Sequence, residues 1–137
     1  MGNSDNANAA WWVSTKEFLP TIGERVLIIS KFGHVSDAMY TDYGMGDAPT
    51  FRPDGFKPHD DVKWWMPIPT DGWHDIKETQ PKAGEVALTM GMYGEIFNGT
   101  WRKSSYSNKF EFSPFVWEVL FWREMPRLPE GVLLSTR

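Results

Sequence analysis

Three groups of side chains in this sequence have types that chemistry uses. His59-Asp60-Asp61 and His74-Asp75 lie close together in the chain, with His34 further upstream. Imidazole and carboxylate groups bind divalent metals, and two or three of them around an open position could activate water. Adjacent residues of an extended chain point to opposite faces, so His59-Asp60-Asp61 converge only if a turn bends them together. A solvated loop ahead of a strand is the better reading, with a metal-dependent hydrolase as the least favoured alternative. Glu17 with Glu78, and Glu24 with Glu85, could in principle pair as acid and base. Glu24 and Glu85 each follow a glycine, however, and a turn-completing role suits both. The chain has no cysteine, and Ser104, Ser105 and Ser107 have no histidine near them. Gly44-Met45-Gly46 and Gly91-Met92-Tyr93-Gly94 lack the strand–loop–helix setting and the Lys-Ser/Thr of a phosphate cradle, so they read as turns. No catalytic residue, metal or cofactor is expected.

What remains is a surplus of aromatics. Eight tryptophans contribute to an aromatic content of 15%. Trp64 and Trp65 are neighbours in a strand-like stretch, so if Trp65 enters the core, Trp64 faces outward. An outward tryptophan is a hot spot for a protein partner or a platform for a base. The candidate binding residues are therefore Trp64 and Trp11, with His59, Asp60 and Asp61 beside the former, and with Arg102 and Arg123 as phosphate-holding cations.

These residues need elements to hold them. Arg25 to Ser30 is a continuous β-branched and aliphatic run of strand length, and Phe32-Gly33-His34 turns it into a second strand at Val35 to Tyr40. Residues 42–58 are rich in Gly, Pro and Asp and predict a long loop with one short strand near Phe51. Val62 to Met66 is the next strand, ended by Pro67 and Pro69. Further strands are expected at Val86 to Met90, Glu95 to Lys103, Phe110 to Phe112 and Val116 to Trp122.

The second set repeats the first. An offset of 61 pairs Trp12 with Trp73, Lys16 with Lys77, Glu17 with Glu78 and Pro20 with Pro81. The same offset pairs Gly23 with Gly84, Glu24 with Glu85, Leu27 with Leu88 and Gly33 with Gly94. Eight identities in 29 ungapped positions compare with about two expected from composition. The closing Trp65-Met66-Pro67 is matched to Trp122 and Met125-Pro126, which leaves Trp64 without a counterpart. The expected architecture is mainly β, with α+β as the alternative. It comprises a flexible leader (1–10), a first unit (11–70), a diverged second unit (71–130) and a C-terminal tail (131–137). Two such small antiparallel-sheet units gain stability by packing their apolar faces or by pairing strands across the seam, with pseudo-two-fold symmetry.

Trp12-x-Ser14, Leu19-Pro20-x-x-Gly23-Glu24-x-Val26-Leu27-Ile28 is followed by Val62-x-x-Trp65-Met66-Pro67-x-Pro69. This pattern resembles the family catalogued as domain of unknown function 551, small proteins found mostly in bacteriophages and prophages. The first unit matches almost end to end, whereas in the second Gln80 replaces the leucine and Arg123-Glu124 interrupts Trp-Met-Pro. Trp64 stands where members often carry a histidine. The resemblance implies a phage or prophage setting and brings no activity with it.

Charge and composition narrow the partners. Net charge is −4; residues 1–72 hold six basic against ten acidic groups, and the remainder holds eight of each. A mildly acidic chain with no basic stripe is a poor wrapper of a phosphate backbone, so nucleic acid is disfavoured. No apolar run is of membrane-spanning length, no signal-peptide core is expected, and the absence of cysteine fits a reducing cytoplasm. The expected function is non-enzymatic: a phage accessory protein in the host cell cytoplasm that binds a host or defence protein. Aromatics near the seam and the acidic 37–61 stretch would make the contact. The alternative is sequestration of a small nucleotide signal. A homo-oligomer is compatible with both.

Overall fold

Val26 and Ile28 point to one face of their strand and Leu27 and Ile29 to the other, and all four are buried. A strand apolar on both sides lies inside a sheet covered on both faces. The computed structural model describes residues 12–42, 48–52, 62–113 and 118–134. The expected leader and Trp11 lie outside these residues.

Ten strands form in chain order: β1 (Val13–Ser14), β2 (Arg25–Ile29), β3 (Val35–Thr41), β4 (Thr50–Arg52), β5 (Trp64–Pro67), β6 (His74–Asp75), β7 (Val86–Gly91), β8 (Ile96–Lys103), β9 (Phe110–Ser113) and β10 (Val119–Glu124). All pairings are antiparallel, in one sheet of order β1-β5-β2-β3-β8-β7-β10-β6, with β4 beside β3 and β9 beside β8. Among the described residues there is no helix, so the architecture is mainly β and the α+β alternative falls. Among the described residues no helix is long and apolar enough to cross a membrane. The ends of the sheet path, β1 and β6, are two-residue strands.

The halves meet edge to edge. Ser36 on β3 stands opposite Phe97 on β8. The rest of each edge goes to a local partner: Met39–Thr41 pair with β4, and Thr100–Lys103 pair with β9. Several bonds recur 61 positions apart. Gly23 N–H donates to Tyr40 O and Gly84 N–H to Trp101 O, both at 2.7 Å. Glu24 Oε1 accepts from Thr21 N–H and Glu85 Oε1 from Lys82 N–H, both at 3.0 Å, which is the turn-completing role expected of these carboxylates. Gly23 and Gly84 have φ of 92° and 87°, where a Cβ would be strained.

Two layers of apolar side chains result. On one face Leu27, Ile29, Val35, Met66, Leu88 and Ile96 join across both halves into a single core. Residues 125–134 cover it through Met125, Leu128, Val132 and Leu134. Of the stretch expected as a tail from 131, Val132 and Leu134 pack against this core. On the other face each half has its own cluster, around Tyr40, Phe51 and Trp65 in the first and around Trp101, Phe112 and Trp122 in the second. The ring pairs Tyr40–Phe51 and Trp101–Phe112 both have centroids 4.9 Å apart.

Three expectations are corrected. Pro67 does not stop the strand short at Met66 but is itself the last residue of β5, opposite Val26. Beyond Trp65, β5 pairs with β2 alone, so the missing N–H of Pro67 costs no ladder bond. Met125-Pro126 is not the counterpart of Met66-Pro67. Trp65 faces Val13 and Ile28, and Trp122 faces His74 and Thr89, at the same offset of 61. Arg123 and Glu124 therefore occupy the places of Met66 and Pro67, and Phe121 occupies that of Trp64. Finally, Trp64 does not face solvent. Alternation turns it away from Trp65, but the second face is also covered, so the half-buried indole packs against the shared core.

Candidate functional site

The register of β5 against β2 sets Trp64 opposite Ile29, with Lys63 one residue before it. Beyond Ile29 the chain turns through Ser30 and Lys31. The turn is closed by Gly33 N–H donating to Ser30 O at 3.0 Å, and Gly33 has φ of 82°. The Ser30 oxygen accepts from the Phe32 and His34 N–H groups at 3.3 and 3.2 Å and fixes the corner. From the far side residues 131–133 approach, after a turn in which Val132 N–H donates to Pro129 O. These three pieces enclose a cleft of about 300 Å³.

The wall of this cleft is apolar at Ile29, Trp64, Val132 and Leu133, and cationic at Lys31 and Lys63. No carboxylate belongs to the described lining, in a chain of net charge −4. The Lys31 ammonium lies 5.2 Å from the Phe32 ring centroid, a cation–π contact that leaves its N–H donors available. An aromatic plane with two ammonium groups suits a flat, anionic molecule.

The matching corner of the second half differs in kind. Met92 stands at the place of Lys31, Phe121 at that of Trp64, and the β10 register shifts between Val119 and Phe121. There the Glu95 carboxylate folds over Gly91, where a Cβ would lie 1.7 Å from its Oε1. One corner is cationic and open, and the other holds a carboxylate.

Of the described candidate binding residues, Trp64 lines this cleft and Arg102 and Arg123 do not. His59, Asp60 and Asp61, like Trp11, lie outside the described residues. Arg102 is exposed on β8 opposite Glu111, in the half that does not contain Trp64. Arg123 is buried in β10, and its guanidinium binds the Asp71 carbonyl in the link between the halves. It lies 3.7 Å from the Asp71 carboxylate. His74 Nε2 lies 2.9 Å from Glu124 Oε1, and its ring packs on Trp122 with centroids 4.6 Å apart. Among the described residues no group of three His, Cys, Asp or Glu side chains could hold a metal. Asp37, expected on an acidic binding face, is buried and paired with Arg25.

Lys31 and Lys63 escape a reading of the sequence because 32 positions separate them, and only the β2–β5 register brings them together. The usable signal was the lysine directly before the tryptophan pair.

Large apolar side chains also stand exposed at the hairpin tips. Phe32, between β2 and β3, is 70% exposed, and Tyr93, between β7 and β8, is 82% exposed beside exposed Met92. Compared with protein-family models, with curated proteins and with solved structures, the chain gives no match.

Proposed function

We propose that the chain is a non-enzymatic accessory protein of a phage or prophage that acts in the host cytoplasm by binding a host or defence protein. The observation that carries this reading is the pair of hairpin tips. Phe32 and Tyr93 occupy the same turn position 61 residues apart, and both are mostly in solvent. A polar residue would serve a solvated turn equally well, whereas a large aromatic there gains its free energy by burial against a partner. The tips precede β3 and β8, which are antiparallel, so they stand at opposite ends of the sheet and offer two separate contact points.

The recurrence of backbone and side-chain bonds at an offset of 61 supports the further reading that units 11–70 and 71–130 descend from one duplicated module. The resemblance to the domain of unknown function 551 family supports the phage setting.

The test is native mass spectrometry of tagged protein recovered from host lysate, comparing wild type with the double variant Phe32→Ser, Tyr93→Ser. A stoichiometric host protein held by wild type and lost from the variant, with unchanged thermal unfolding, is the expected outcome. Retention of that protein by the variant overturns the reading, as does recovery of no protein at all.

A further inference from the structure

We infer that the Trp64 cleft is a binding site for a nucleoside phosphate, independent of the hairpin tips. Three observations converge on it. The first is size, since about 300 Å³ lies at the lower end of small-molecule sites and admits one nucleotide rather than an oligomer. The second is chemistry. The half-buried indole of Trp64 offers a stacking plane, and Ile29 and Leu133 extend the apolar wall. Stacking on an aromatic plane accepts any base, because every base has a π-face. Lys31 and Lys63 supply two ammonium groups with three donors each to the phosphate oxygens. Ser30 accepts two backbone N–H groups, and its hydroxyl proton is a further donor on the lining.

The third observation is the contrast within the chain. Glycine turns, glutamate caps and core positions recur at an offset of 61, and so do the backbone bonds of this turn, but the side chains of the corner do not. Where the first half places Lys31 and Trp64, the second places Met92 and Phe121, with Glu95 folded over Gly91. Maintaining the fold does not require lysine or tryptophan there, since the second half builds the same strand pairs without them. Residues 131–133 wall only the first corner. Leu133 on that wall is 86% exposed and so within reach of a ligand.

The experiment is isothermal titration calorimetry of the whole chain with the four nucleoside monophosphates, at low and at physiological salt, with adenosine and inorganic phosphate as partial ligands. At least one nucleotide is expected to saturate with a Kd of about 1 mM or tighter. Adenosine or phosphate alone should bind more weakly, and added salt should weaken nucleotide binding. Lys31→Ala and Lys63→Ala should each weaken binding about tenfold, the scale of a lost charge-assisted hydrogen bond. Trp64→Leu should weaken it at least about fivefold, and Trp64→Phe less. Thermal unfolding of each variant verifies the fold; if Trp64→Leu does not fold, the two surface lysine variants decide alone. The inference is overturned if no nucleotide saturates, or if binding survives both lysine substitutions unchanged.

Discussion

Asp37 and Asn98 hold the two halves together by mirror-image bonds: Asp37 Oδ1 accepts the Ile96 N–H at 2.8 Å, and Asn98 Oδ1 accepts the Val35 N–H at 2.9 Å. The two residues are 61 positions apart, as are their donors. Backbone register between β3 and β8 is confined to Ser36 opposite Phe97, so these side chains carry bonds that a longer ladder would otherwise make. Each is buried, and each removal strands a buried N–H. Asp37→Ala and Asn98→Ala should therefore each cost about 1–3 kcal/mol. Asp37→Ala should cost the more, since its Oδ2 also holds the Arg25 guanidinium, with Nε at 2.8 Å. The double variant should unfold in two steps as the halves uncouple. Urea denaturation followed by fluorescence and circular dichroism reads both effects, and wild-type midpoints in both single variants would refute the assignment.

Trp65 and Trp122 do the same work in the two halves. The Trp65 indole N–H donates to Phe18 O at 2.9 Å, and that of Trp122 to Thr79 O at 2.7 Å. Each bond ties the loop ahead of the main hairpin to a strand beneath it. Trp65→Phe and Trp122→Phe keep an aromatic in the core but lose this bond and some volume, so each should cost about 1–2 kcal/mol. Amide exchange should quicken in 15–22 for the first variant and in 76–83 for the second, each in its own half alone.

Gly99 faces a tighter space than Ala38, its counterpart. A Cβ on Gly99 would lie 3.2 Å from Phe112 Cβ and 3.3 Å from Thr89 Cγ2. The larger ring of Trp101, where the first half has Tyr40, accompanies the smaller residue beside it. Gly99→Ala should destabilise by about 1–3 kcal/mol through overpacking, despite the usual preference of a strand for alanine over glycine. A thermal melt of Gly99→Ala matching wild type would contradict the packing.

The strands most legible in the sequence are those whose aliphatic runs have length. Arg25–Ile29, Val35–Thr41 and Val86–Gly91 fall within a residue or two of where their patterns place them. Val13–Ser14 and His74–Asp75 are too short to show a period and become visible only through their partners. The offset of 61 does not hold to the end of the chain because β10 is irregular between Val119 and Phe121. The spacing between the paired tryptophans there shrinks from 61 to 57, and the Met125-Pro126 slightly downstream imitates Met66-Pro67 in sequence alone. Trp64 stands out in the sequence as a tryptophan without a repeated counterpart, but its direction depends on whether the sheet's second face is covered. That cover comes from residues 125–134, far away in the chain. The lysines of the cleft are legible only with the β2–β5 register in hand.

Arg123 tests whether a cation chosen for its charge has a structural task. It stands where the first half has Met66, yet its guanidinium binds the Asp71 carbonyl and lies against Gly72, where a Cβ would meet Nη1 at 3.0 Å. Gly72 has φ of 80°, so the link between the halves turns sharply at the point the arginine holds. Arg123→Met should change stability by no more than about 1 kcal/mol, because methionine fills the volume and removes a buried charge at once. Arg123→Ala leaves the carbonyl unmet as methionine does and the volume empty besides, and should cost about 2–4 kcal/mol. Neither should alter nucleotide titration at the Trp64 cleft, whose lining excludes Arg123. Calorimetric unfolding alongside that titration separates the roles: a methionine variant with native stability but lost binding would return Arg123 to the ligand.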